Sequence, residues 1–401
     1  MWKALSSRVP AGLATLVAAG LVARIFIRPL EYQWDFRVYY DAAGAFLAGL
    51  DPYDANARLS VSSHFVNLPF VYPPLTLHAF AVFRKLSLLP AMHVWLGLKV
   101  LALAMLFRIW SRVFVSLRWD VATIAFFLLA FGSTLLTDFA TGNVSTFEQL
   151  MLWAGFEALV EGRWVKFSVL VVLAAQFKLL PVFFLVLLLT AFERPHWGAF
   201  AGAVAAFAAV FSLNALLYPE GLWAFFQQAS SIDERGFINP SMLAFVQDVA
   251  DKLTAWFMNR PVAIGRWVYG VVALVVVAMS ARVGVIHRRR VGIPDRRVLV
   301  LFACAVYALV APRFKNYSYI LLLAPAAWLV WGSKISKHLP IVFALVAFPM
   351  VGTFEQTSVF ITFMVPYMSL LAGVWIWASY RRELLAPVAA ESNTLSGGRP
   401  I

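Results

Sequence analysis

Twelve apolar runs follow one another along the chain, near residues 9–28, 93–113, 120–137, 147–160, 165–178, 180–192, 198–218, 266–286, 298–312, 317–332, 339–352 and 357–379. Many approach the length of about 20 residues that a helix needs to cross a hydrocarbon core. Lipid offers no partner to a backbone N–H or C=O, so continuous apolar runs of this kind satisfy those groups internally, as helices. Composition agrees: 62% of residues are hydrophobic and 13% charged, with a mean hydropathy of +0.79, whereas soluble domains are roughly half apolar and a quarter charged. The expected fold is all-α, a polytopic transmembrane helical bundle of about ten to twelve spans. The count stays open around 165–192, where Lys178 and Pro181 interrupt the run and allow either one kinked span or two half-length helices. Lys3 and Arg8 precede the stretch Ala11 to Ile27, which is long for a signal peptide and lacks a small-residue cleavage site before Arg28. It is expected to be an uncleaved first span.

The net charge of +13 would raise the question of nucleic acid in a soluble protein. Here the basic residues cluster in short connections: Arg108, Arg112 and Arg118, then His287 to Arg290 with Arg296 and Arg297, then Arg381 and Arg382. That distribution marks cytoplasmic loops, not a nucleic-acid face. It puts both termini and the loops 108–119, 161–166, 193–197, 287–297 and 332–338 inside, and 29–92, 138–146, the tip Lys178 to Pro181, 219–265, 312–316 and 353–356 outside. Arg84 and Lys85 conflict with this scheme. The prolines of Tyr72-Pro73-Pro74 and Pro90 nonetheless favour 69–92 as a juxtamembrane helix at the outer interface over a crossing. Residues 1–386 form one transmembrane domain, and 387–401, rich in Ser, Gly, Ala and Pro, read as a disordered tail. Cys304 is the single cysteine and lies in an apolar run, which excludes an internal disulfide or a cysteine metal cluster.

The first outer loop concentrates polar chemistry. Five of the 20 acidic residues, Glu31, Asp35, Asp41, Asp51 and Asp54, fall between positions 31 and 54. A carboxylate among aromatic neighbours at a membrane surface is partly desolvated and gains basicity, which suits a general base. Asp35, between Trp34 and Phe36, fits that role, whereas Asp51-Pro52 and Asp54 suit turns and helix caps better. A basic pair, Arg313 and Lys315, lies in an expected outer connection, where an anionic phosphate is the natural ligand and interfacial snorkelling the alternative. Lys178 sits within a strongly apolar run and is expensive there unless functional or paired with Asp138 or Glu148. In Thr141-Gly142-Asn143, Gly142 permits close backbone approach and Asn143 can orient a sugar hydroxyl, although a simple turn explains the tripeptide equally well. The histidines show no zinc spacing. Neither a nucleophile elbow nor a Gly-rich phosphate loop occurs, so zinc hydrolysis, serine acyl transfer and nucleotide hydrolysis are unsupported.

Asp35-Phe36-Arg37-Val38-Tyr39-Tyr40 with Ala42, Ala43, Gly49 and Asp51-Pro52-Tyr53, followed by Tyr72-Pro73-Pro74-Leu75, resembles the first outer loop of glycosyltransferase family 87 in the GT-C superfamily. Gly142-Asn143, Phe177-Lys178-Leu179-Leu180-Pro181 and Pro312-Arg313-Phe314-Lys315-Asn316-Tyr317-Ser318 follow in the family's order. The resemblance implies a multi-pass enzyme of a bacterial cytoplasmic membrane with its active site facing outward. It implies inverting transfer, without metal or other cofactor, from a polyprenyl-phosphate sugar to a lipid or cell-envelope glycan acceptor. The sugar implied is mannose, with arabinofuranose the alternative. Asp35 takes the role of base, and Lys178, Arg313 and Lys315 that of holding the departing phosphate; Tyr39, Tyr40, Asp51, Tyr53, Tyr72, Asn143 and Asn316 are expected to contact substrate. There are two departures from the family pattern: Asn143 stands where many relatives carry Gln, and Arg313 and Lys315 stand where mannosyltransferases carry a histidine. The alternatives are a lipid-linked sugar flippase or secondary transporter, which would place charges at the bilayer midplane in broken helices, and an oligosaccharide polymerase.

Overall fold

The computed structural model describes residues 8–117, 120–258, 264–292, 295–333 and 365–386. The expected span 339–352, the turn 353–356, the first residues of the last span and the tail 387–401 lie outside them. In chain order the helices are α1 (Arg8–Ile27), α2 (Trp34–Leu47), α3 (Ala55–Ser60), α4 (Thr76–Ala81), α5 (Leu88–Ile109), α6 (Val121–Thr141), α7 (Ser145–Val160) and α8 (Trp164–Phe177). They continue with α9 (Leu187–Thr190), α10 (Trp197–Leu217), α11 (Pro219–Ser231), α12 (Met242–Met258), α13 (Ile264–Val291), α14 (Arg296–Val310), α15 (Leu323–Trp331) and α16 (Met368–Leu385). No strand occurs among the described residues. The all-α bundle is the observed architecture.

Local chemistry sets the boundaries. Asp120 and Asp295 cap α6 and α14 by accepting from the N–H groups of Thr123 and Arg297, each at 2.9 Å. Lys178 is extended at the end of α8, and a 3-10 segment from Leu180 to Val186 follows, so the 165–192 region is two short pieces. Pro181, in the first turn of the second piece, donates no N–H and suits that position. α6 is itself interrupted: Phe131, Gly132 and Ser133 are left-handed, a geometry that disfavours side chains with a Cβ.

Among the described residues, four helices are long and apolar enough to cross a membrane: Leu88–Phe114 (α5 with its continuation), α6, α10 and α13. Of the other segments expected to cross, 9–28 coincides with the 20-residue α1, 339–352 lies outside the described residues and several of the rest coincide with shorter helices. α10 and α13 keep only 11% and 17% of their apolar windows buried in the protein. Their remaining side chains, Leu216, Trp267 and Leu274 among them, face outward as lipid-facing groups do. The interface segment is also revised. Only α4 and a 3-10 turn, Val82–Lys85, form the short juxtamembrane piece, while Leu88 to Met92 already belong to α5. Arg84 has a packing reason for its place, since its guanidinium covers the Tyr40 ring at 4.4 Å and sits against Gly44.

Two ends result. At one, Arg112 pairs with Glu157, Arg296 donates to Val160 O, Arg288 to Glu193 O and Arg290 to Leu385 O, which gathers the basic connections. At the other, residues 28–87 pack on the α6–α7 turn, the start of α5 and α11. A separate aromatic core there includes Phe36, Tyr39, Tyr53, Phe70, Tyr72 and Trp95.

Candidate active site

The turn Thr141-Gly142-Asn143 is built by charge and hydrogen bonding from α5. Lys99, fully buried, forms an ion pair with Asp138 Oδ2 at 2.6 Å and donates to Asp138 O at 2.8 Å and to Asn143 O at 2.5 Å. A cation at a helix C-terminus meets unsatisfied carbonyls and the negative end of the dipole. Trp95 Nε1 donates to Gly142 O at 2.9 Å. Gly142 is left-handed at φ +71°, and a Cβ there would lie 3.0 Å from Gln33 Cα. Gly142 therefore lets α6 approach the start of α2, where Gln33 N donates to Ala140 O at 2.6 Å. The close approach is to the protein's own backbone.

That approach brings Asn143 to Asp35. Ser145 donates to Asn143 Oδ1 from its N at 3.0 Å and its Oγ at 2.8 Å. A backbone N–H only donates, so the amide nitrogen has to face the other way. It donates to Asp35 Oδ2 at 2.7 Å and to Tyr39 Oη at 3.0 Å, with Tyr72 Oη at 3.4 Å. Burial raises the Asp35 carboxyl above its ordinary range, against the hydrogen bond from Asn143 and the charge of Lys315. Burial likewise raises Tyr39 and Tyr72, keeping both phenols neutral.

Asp35, Tyr39, Tyr72 and Asn143 line a cavity of about 370 Å³ together with Glu234, Arg313, Lys315 and Asn316. Glu234 bridges the two cations, Oε2 to Arg313 Nη2 at 2.6 Å and Oε1 to Lys315 Nζ at 2.7 Å. Burial lowers the Lys315 ammonium, with the Arg313 charge adding to the effect. Burial acts to raise Glu234, but Lys315 and Arg313 together overcome it and hold the carboxyl below its usual range. Asn316 Oδ1 is buried without a hydrogen-bond partner among the described residues, an acceptor suited to a ligand hydroxyl.

Four expected contacts sit elsewhere. Lys178 does not line the cavity: it pairs with Glu148 at 2.6 Å and donates to Ser145 Oγ at 2.7 Å. Through Ser145 it orients Asn143, and the pairing with Glu148 is why its charge is tolerated in an apolar run. Tyr40 donates to Leu86 O at 2.8 Å beneath Arg84. Asp51 accepts from Tyr53 N at 2.9 Å in a turn, and Tyr53 donates to Tyr72 O at 2.6 Å. Those three position the loop. Asp54 caps α3 through Asn56 N and Ala57 N, as its spacing suggested. Lys99 and Glu234 were not expected. A lysine within the apolar run 93–113 was a readable signal for the first, while nothing local marks Glu234.

The sequence pattern of glycosyltransferase family 87 matches residues 70–312, more than half of the chain. The chain belongs to glycosyltransferase family 87. Neither a curated protein nor a solved structure matches it. The family 87 match spans the lysines and the turn that orient Asn143, together with Glu234. Asp35 precedes the matched region and Arg313 directly follows it, so the cavity joins the ends of the family 87 region to the α2 loop. As a membrane-embedded member of a glycosyltransferase family, the protein needs a sugar donor and an acceptor.

Proposed function

We propose that the protein transfers a sugar, mannose or alternatively arabinofuranose, from a polyprenyl-phosphate donor to a lipid or cell-envelope glycan on the outer face of a bacterial cytoplasmic membrane. The observation that carries this reading is that a half-buried carboxylate, Asp35, lines the same cavity as two cations, Arg313 and Lys315. The acceptor oxygen forms a bond to the anomeric carbon as the bond from that carbon to the phosphate oxygen breaks. The acceptor proton goes to Asp35, and the bonding electron pair leaves with the phosphate, beside Arg313 and Lys315. Attack opposite the leaving group inverts the anomeric centre. The raised basicity of Asp35 favours proton capture, and paired cations stabilise the charge developing on the leaving group. Asn143 holds the carboxylate in one orientation, and Tyr39, Tyr72 and Asn316 offer hydroxyl and amide groups to the sugar.

A donor with a polyprenyl tail stays in the bilayer, so its phosphate is met at the membrane surface, where the segment 28–87 lies. The basic connections collect at the opposite end, which by the positive-inside rule supports an outward-facing cavity. The test is transfer of radiolabelled sugar from synthetic polyprenyl-phosphate mannose and arabinofuranose into membrane lipid extract, by purified wild type and Asp35→Asn side by side. Transfer by wild type alone supports the donor class and the base together. Equal transfer by both removes Asp35 from the chemistry, and no transfer from either donor overturns the donor.

A further inference from the structure

Glu234 occupies the position in which it competes most directly with a ligand. Its two oxygens engage Arg313 Nη2 and Lys315 Nζ, the same atoms that a phosphate held by both side chains would use. The three side chains are 28%, 30% and 18% exposed, so water reaches the pair and exchange of one anion for another is cheap compared with breaking a buried ion pair. The backbone around Glu234 is tied down independently of its carboxylate. Asn239 Nδ2 donates to Glu234 O at 2.9 Å, Phe314 N donates to Asn239 Oδ1 at 3.0 Å, and Asn316 N donates to Ile238 O at 3.2 Å. Gly236 N donates to Tyr367 Oη, and Arg235 is held by Asp233, Asp248 and Asp251. The carboxylate can leave the cations while the loop stays in place.

We propose that Glu234 is an exchangeable counterion, displaced from Arg313 and Lys315 by the phosphate of the incoming donor and returning to them to drive the phosphate product out. The proposal rests on the lipid-phosphate reading above and adds a device for release. A sugar phosphodiester carries one negative charge, so donor and Glu234 together balance the two cations. Transfer leaves a phosphomonoester of nearly two charges, while Asp35 becomes neutral by taking the acceptor proton. Product and Glu234 then exceed the two cations by about one charge and repel each other. The charge of Glu234 thus acts more strongly against product than against donor.

The test is farnesyl phosphate and, separately, inorganic phosphate binding to the full-length protein in nanodiscs by calorimetry, with wild type, Glu234→Gln and Glu234→Ala. Gln keeps a hydrogen-bonding oxygen for either cation, so a folding defect in Ala alone leaves the test intact. Farnesyl phosphate is expected to bind the Gln variant about tenfold tighter, in keeping with removal of one partly exposed like charge. Unchanged or weaker farnesyl phosphate binding in the Gln variant overturns the exchange. Inorganic phosphate binding the wild type as tightly as farnesyl phosphate assigns the site to free phosphate and overturns the lipid carrier. Binding is read without sugar transfer. Tightening without transfer from either donor therefore keeps the exchange and removes the donor reading; transfer with unchanged binding removes only the exchange.

Discussion

Asp35 is half-buried and desolvation raises its carboxyl, and the sign of that shift sets two outcomes. Catalysis needs the ionised form, so kcat/KM falls as pH drops through a value above the ordinary carboxylate range of about 3.9. Stability runs the other way. A carboxyl with a raised folded pKa contributes most below its unfolded pKa and loses that contribution as pH rises through the folded one. At neutral pH the charge therefore costs stability. Asp35→Asn is expected to lose about 10²- to 10⁴-fold in turnover with a Tm no lower than wild type, read by a transfer assay and a thermal melt on one preparation. Asn143 lowers the same pKa through its hydrogen bond. Asn143→Ala should therefore shift the acid limb of the pH–rate profile upward, and an unmoved limb would show that the amide serves only packing.

The end of α6 and the turn after it transmit order from the bundle to the site. Gly142→Ala meets a positive φ and a contact at 3.0 Å with Gln33 Cα. It is expected to cost about 1–3 kcal/mol and to lower turnover, because α2, which carries Asp35, has to shift. Lys99 and Asp138 are both fully buried, so Lys99→Met leaves Asp138 and its carbonyl without their cation and is expected to cost about 3–5 kcal/mol. Lys99→Met combined with Asp138→Leu removes the pair together and should recover most of the lost Tm. Turnover should not recover with it, since Asn143 O still lacks its donor. Scanning fluorimetry beside the transfer assay separates the two effects.

Across the whole molecule, the two ends differ in chemistry, and the basic end is expected to face the cytoplasm. Cys304 is buried, so new surface cysteines can be read against a quiet background. Ser63→Cys, in the α3–α4 loop, should react with a membrane-impermeant maleimide in intact cells, and Arg289→Cys, at the basic end, only after permeabilisation. The reverse pattern would put the cavity inside and end the polyprenyl reading as stated.

The all-α bundle, the capping role of Asp54, the break at Lys178 and the grouping of Asp35 with Arg313 and Lys315 were legible in the sequence alone. Each depends on neighbours in the chain, on the length of an apolar run, or on a charge too expensive to leave unexplained. Tertiary structure decided the partners. Lys178 is drawn to Glu148 and Ser145 instead of the cavity, Lys99 underpins the turn, Gly142 makes room for α2, and Glu234 reaches cations 79 and 81 positions further on. Pairing across such separations depends on which helices meet at one end of the bundle. Apolar periodicity says that a helix is buried, but the side chain an ion pair finds there follows from packing between segments that carry no mark of each other.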